Sequence, residues 1–293
     1  MSAPLVFDRP LVRRRLARAL KSGYADFLLR RAIDELEERL GSVLRPFPLA
    51  VDVGTPTAAL TDRLAASARV DDVVRLAPAG DAAAGLTVHG DAEALPFAPA
   101  RFDLAVSLLA LQSVNDLPGA LVQIRRALKP DGLFLGALLG GSTLHELRAA
   151  FTQAEAELEG GASPRVAPFA DVRDLGALLQ RAGFALPVTD VEPAIVRYGD
   201  PVGLLRDLRA MGLTNALHDR RRTALRRATL LRAMSIYAQR FSDADGRIRA
   251  TFDILWLSGW APHESQQKPL RPGSAQARLA DALGVTEHKA PRR

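Results

Sequence analysis

The sequence predicts an α/β fold in which helices cover both faces of a doubly wound, parallel sheet. Three observations carry this. Short apolar runs, LAVDVG (49–54), DVVRLA (72–77), LTVHGD (86–91), FDLAVSLL (102–109) and GLFLGALL (132–139), alternate with helix-like stretches, the order that builds βαβ units. NDLPGALVQIRRALKPDG (115–132) opens on Asn115 or Asp116 as a helix cap and closes on a Lys-Pro-Asp-Gly turn, which makes one crossover helix explicit. At 293 residues and 48% hydrophobic content the chain can bury a large core. Ligands of such sheets bind beyond the carboxyl ends of the strands. That directs attention to the segments after LAVDVG, near LAPAG, at HGDAEALPF and after AVSLL.

Ahead of the sheet, residues 1–46 read as a basic helical segment, and in FLLRRAIDELEERL the residues Leu28, Ile33, Leu36 and Leu40 fall near one face. The main domain is expected over 47–262, with helical insertions at 140–165 and 201–241. Within it, DVRDLGALLQRAGF reads as a crossover helix stopped by Gly183. FALPVTDVEPAIVRY and RATFDILWLSGWAP (249–262) read as the late strands. Residues 263–293 form a C-terminal loop and tail, expected to be mobile toward its end.

The chain has no cysteine, which excludes disulfides, thiolate metal sites and a cysteine nucleophile. The five histidines, His89, His145, His218, His263 and His288, include no pair at metal-ligand spacing, so no metal site is expected. G-x-S-x-G and P-loop motifs are absent. The positive balance, 39 Lys+Arg against 33 Asp+Glu, is carried by arginine. It concentrates in RPLVRRRLARALKSG (9–23) and HDRRRTALRRATLLR (218–232), both with helical spacing. Such faces are solvated surfaces, or docking sites for an acidic partner or anionic headgroups. With only 5% aromatic residues to stack on bases, nucleic acid is not the expected partner. No apolar run reaches the roughly 20 residues that span a bilayer. The expectation is a soluble cytoplasmic protein with peripheral membrane association at the inner face left open.

Four segments in order carry a resemblance: D-V-G (52–54), GDAEALPF (90–97), FDLAVSLLALQSVNDLPGAL (102–121) and LKPDGLFLGALLGGSTLHELR (128–148). Together they resemble a class I S-adenosylmethionine-dependent methyltransferase, a Rossmann-like seven-stranded fold. The resemblance implies that Asp52 and Gly54 hold the methionine portion of S-adenosylmethionine and that Asp91 accepts the adenine amine, with Ala92 and Leu108 lining the adenine side. Three positions depart from the family pattern. Pro56 and Ala58 stand where glycines are usual, and Arg75 or Leu76 stands where an acid accepts both ribose hydroxyls. Proline fixes φ and removes an amide donor, and arginine offers no acceptor. Asp81 lies just beyond this strand. The sequence therefore leaves cofactor binding open.

AEAELEGGASPRVAPFADVRDLGALLQRAGF, VRYGDPVGLLRDLRAMGLTNAL and GWAPHESQQKPLRPGSA, with LVFDRPLVRRRLAR near the start, narrow the resemblance. They are similar to the mitochondrial complex I assembly arginine hydroxylase family and its bacterial relatives, which are related to the malonyl-carrier-protein methyltransferase of biotin synthesis. The resemblance implies a protein substrate, the iron–sulfur subunit of complex I. Where relatives tend to carry His-Trp after the fourth strand, this chain has Gln112 and Ser113. Gln112, His263 and Glu264 are the candidate catalytic residues. Two alternatives stay beside this reading: a methyltransferase of a carrier-protein-bound acid or other substrate, and a non-catalytic assembly scaffold.

Overall fold

The structure is a computed structural model that describes residues 5–77, 85–267 and 284. Asp81, His288 and most of the tail fall outside the described residues. The chain divides into two compact units, 1–262 and 263–293, and the N-terminal helices belong to the first.

That first unit opens with α1 (Arg9–Lys21) and α2 (Phe27–Gly41). The Asp8 carboxylate caps α1 by accepting from the Leu11 amide at 3.1 Å. The sheet strands are β1 (Phe47–Val53), β2 (Val70–Ala77), β3 (Leu86–His89), β4 (Phe102–Leu108), β5 (Leu128–Gly140), β6 (Ala185–Tyr198) and β7 (Ile248–Trp260). Between them lie α3 (Ala59–Ala65), α4 (Leu117–Ala127), α5 (His145–Glu159), α6 (Val172–Arg181), α7 (Pro201–Ala210) and α8 (Arg227–Phe241).

The seven strands run in the order β3-β2-β1-β4-β5-β7-β6. The first five pair in parallel, whereas β7 is antiparallel to both β5 and β6, so the sheet is mixed. Chain order reverses between β1 and β4, and the crevice at that switch point is where ligands of doubly wound sheets bind.

Two apolar clusters sandwich the sheet. One gathers Leu28, Ile33, Leu36 and Leu40 of α2 with α5, α7 and α8 residues such as Phe151, Leu204 and Tyr237. The other gathers Leu121 and Ile124 of α4 with Leu175 and Leu179 of α6. Burying each such leucine contributes about 1.5–3 kcal/mol. Asp116 is the cap of α4, accepting from the Gly119 amide at 2.8 Å. Asn115, the other candidate, instead bonds to the backbone of Phe7.

One expectation is corrected. The second basic segment is helical only from Arg227; residues 211–226 form an irregular connection. The reason is local pairing: Leu217 bridges Phe7, the His218 amide donates to the Val6 carbonyl at 2.8 Å, and the Asp8 amide donates to the Ala216 carbonyl at 2.9 Å. These backbone bonds replace the ones a helix would have made.

Candidate functional site

The site is built from the segments that leave the carboxyl ends of β1, β3 and β4. After β1 the chain turns at Gly54, φ +76°, a conformation that a Cβ strains and glycine adopts freely. Gly54 is the one left-handed residue of this loop. Ala58 sits at φ −71° as the N-cap of α3, and Pro56 lies outside the positive-φ region that proline cannot enter. The two glycines missing from the pattern are therefore missing where this backbone does not need them.

Asp52 is fully buried. Its carboxylate accepts from the Thr55 amide at 3.3 Å and the Thr61 hydroxyl at 2.9 Å, and Arg75 Nε lies 3.9 Å away. Burial pushes its pKa up to about 6, only partly opposed by the Thr55 and Thr61 hydrogen bonds and by Arg75. Arg75 is buried too, paired with Asp52 in strand register, and its Nη2 donates to the Thr55 and Pro56 carbonyls at 3.4 Å. It braces the loop from below. Thr55 Oγ1 in turn accepts from the Leu108 amide at 3.2 Å, and Ser107 Oγ donates to the Val53 carbonyl at 2.8 Å, stitching β1 to β4 at the switch point.

After β4 the backbone is again forced: Leu109 holds φ +51°, a strain of about 1–3 kcal/mol for a residue with a side chain. The short 3-10 turn Leu111–Ser113 comes next. It sets Gln112 with its Nε2 donating to the Leu109 carbonyl at 2.7 Å, while its Oε1 has no hydrogen-bond partner among the described residues.

After β3, Asp91 meets the N-terminal helix. Its Oδ1 accepts from Arg9 Nη2 at 2.5 Å and from the Glu93 amide at 3.0 Å, and its Oδ2 accepts from Arg13 Nη1 at 3.0 Å. Burial opposes its charge, but the Glu93 amide with Arg9 and Arg13 holds its carboxyl below the usual range. Asn115 pins the same strap, accepting from the Phe7 amide at 2.7 Å and donating to the Phe7 carbonyl at 3.1 Å. Arg9, Arg13 and Asn115 were not legible as site residues; the only signal was the run of arginines.

Above this floor lies a cavity of about 580 Å³, in the range of small-molecule sites. Gly54, Ala92 and Gln112 line it, whereas Asp52 and Leu108 are buried behind its wall. The far wall comes from α1, α5, α7 and residues 211–216, including Phe151 and Leu205.

Over 290 residues the chain is 39% identical to the zebrafish (Danio rerio) protein named arginine-hydroxylase NDUFAF5, mitochondrial, covering 94% of this chain and 89% of that protein. The chain belongs to the NDUFAF5 family. The human member is 38% identical over 98% of this chain and 85% of its own length. A malonyl-[acyl-carrier protein] O-methyltransferase of Methylovorus is 34% identical over 88% of this chain and 90% of its own. Residues 51–136 match the methyltransferase domain family, and the fold is that of class I methyltransferases. A candidate methyltransferase from Bacillus halodurans superposes with a TM-score of 0.54 at 15% identity, covering 79% of this chain and 99% of that one.

In this NDUFAF5-family chain the three candidate catalytic residues fall in different units. Gln112 lines the cavity of the first unit. His263 and Glu264 are exposed in the second, where His263 Nδ1 contacts the Ser265 hydroxyl at 2.7 Å. Among the described residues no group of three or more His, Asp or Glu is placed to hold a metal ion, and no helix is long and apolar enough to cross a membrane.

Proposed function

We propose that this chain hydroxylates an arginine of the iron–sulfur subunit of complex I during assembly, at the inner face of the membrane. The observation that carries the reading is the likeness to NDUFAF5 arginine hydroxylases over nearly the whole length of both proteins. Hydroxylation converts a C–H bond of the arginine side chain into C–OH, a two-electron oxidation in which dioxygen as an external co-substrate supplies the oxygen atom and its second atom leaves as water with two electrons and two protons from an external reductant. The cavity supports a role for Gln112 as a positioning group, since its free Oε1 can accept from a guanidinium N–H.

S-adenosylmethionine, which the fold family implies, suits one end of the cavity better than the other. Gly54 leaves room for the methionine portion, and Ala92 borders the adenine side. Asp91 can accept the adenine amine once Arg9 and Arg13 release it, while Asp52 and Leu108 act from behind by holding the loop. β2, however, ends in buried Arg75, Leu76 and Ala77, none of them a carboxylate for the ribose, and Asp81 falls outside the described residues. That observation favours a second reading, an assembly factor of the same complex that works without turnover.

Mass analysis of the iron–sulfur subunit from wild-type and deletion strains tests the proposal. The target arginine should be one oxygen heavier in the wild type alone. An identical modification in both strains sinks it. Calorimetric titration with S-adenosylmethionine separates the two readings.

A further inference from the structure

Among the described residues the cavity wall holds five arginines and no acidic side chain. Three of the five are already paired behind it: Arg9 and Arg13 with Asp91, and Arg165 with the buried Glu155, Nε to Oε1 at 2.8 Å. The other two, Arg206 and Arg209, stand one turn apart on α7 and are exposed. Neither guanidinium has an ion pair or hydrogen bond among the described residues.

The surroundings add to this charge. The end of α7 abuts α1 so closely that a Cβ at Gly212 would lie 3.0 Å from Leu16 Cα. Beside that contact, Arg15 has a buried Nη1 without a partner among the described residues. Its pKa is lowered by burial and by the neighbouring charges of Arg220, Arg18 and Arg14. Asp8 pairs with Arg220 at 3.1 Å and Asp219 with His218 at 2.9 Å, while Asp207 of α7 lies beside Tyr198 and is absent from the cavity wall. Part of the second basic segment is neutralised as well, Arg221 by Glu159 and Arg232 by Glu157. Uncompensated charge thus stands at the cavity mouth, where α1 meets α7.

We infer that the cavity mouth docks an acidic segment of a protein partner, whose carboxylates pair with Arg206 and Arg209. Planar guanidinium groups suit carboxylates through paired N–H donors. The inference rests on the arginine-hydroxylase reading at one point, the identity of that partner as the substrate. A substrate arginine entering this cavity meets no carboxylate on the wall, so the substrate chain supplies its own beside the target. A bilayer surface fits less well, because it rewards aromatic and leucine side chains beside the cations, whereas α7 exposes only Val202 among its large apolar residues. Among the described residues the exposed large apolar side chains include no aromatic, which also disfavours RNA.

The test uses the full chain and a fluorescent glutamate-rich peptide that contains no arginine, so its outcome stands even if hydroxylation fails. Anisotropy should report salt-sensitive binding of this peptide and none of its glutamine counterpart. In the R206E/R209E double variant, both sites being exposed, affinity should fall by about tenfold or more, with an unchanged circular dichroism spectrum and melting temperature. Equal binding of the glutamine peptide, or full affinity in the folded double variant, overturns the inference. Displacement of the peptide by phosphatidylglycerol vesicles but not phosphatidylcholine vesicles, with direct binding to the former, would also overturn it in favour of a membrane surface.

Discussion

Asp52 and Arg75 face each other across paired positions of β1 and β2, both almost completely buried, with Oδ2 and Nε 3.9 Å apart. The pair sits directly under the loop that lines the cavity, and two carbonyls of that loop accept from Arg75. What looked in sequence like a lost ribose acid is a strut. Removing the cation alone strands a buried carboxylate, and breaking such pairs costs about 3–5 kcal/mol. Arg75→Met should lower the denaturant midpoint by that order, and Asp52→Asn added to it should recover a large part. A single variant as stable as wild type would show that the strut carries no load.

Asp52 also makes stability depend on pH. Its folded pKa is about 6 against an ordinary 3.8, so between those values the folded state holds a proton that the unfolded state has released. This group's contribution is therefore fully present below about pH 4 and is lost as pH rises through about 6. The span corresponds to roughly 3 kcal/mol at 1.36 kcal/mol per unit. Asparagine does not titrate, so the stability difference between wild type and Asp52→Asn, from urea midpoints across pH 4–7, should change monotonically. A flat difference would place the Asp52 pKa near its ordinary value.

The loop makes a paired prediction about glycine. Gly54→Ala puts a Cβ at φ +76°, 3.5 Å from the Ala110 Cβ, an ordinary contact in a strained backbone costing about 1–2 kcal/mol. Thermal melts should show that modest loss. Ala58→Gly restores a family glycine where φ is −71°, so it should leave S-adenosylhomocysteine affinity unchanged. A gain in affinity would mean that the loop does need the lost glycine.

The sheet was legible because its strands are uninterrupted apolar runs separated by capped helices, as FDLAVSLL and the Asp116-capped helix illustrate. The antiparallel β7 was not, since apolar content does not encode strand direction. Gly54 and Ala92, to which the resemblance pointed, line the cavity, since the motif loops that carry a resemblance are local in sequence. Arg9 on Asp91 and Phe7 on Asn115 were not legible, being contacts across 82 and 108 residues that no periodicity announces. The same holds for residues 211–226, where pairing with Val6, Phe7 and Asp8 overrides a helical pattern.

Arg9 makes the N-terminal strap testable as a unit. Its guanidinium binds Asp91, the Ser113 carbonyl at 3.0 Å and Glu93 at 3.6 Å, so Arg9→Ala removes three anchors at once while the Asn115 bonds to Phe7 remain. Arg9 and Asp91 are mostly shielded, with 15% and 21% of their side chains exposed, which puts the loss at about 1–3 kcal/mol. Hydrogen exchange should quicken in α1 and in residues 216–218, which bond to the same segment, and stay unchanged in β1, β4 and β5. In wild type the protection of α1 should weaken as pH falls through the depressed pKa of Asp91, because protonation discharges the partner of both arginines; in Arg9→Ala that acid sensitivity should shrink. Faster exchange throughout the sheet would mean instead that Arg9 supports the whole domain and that the strap does not open on its own.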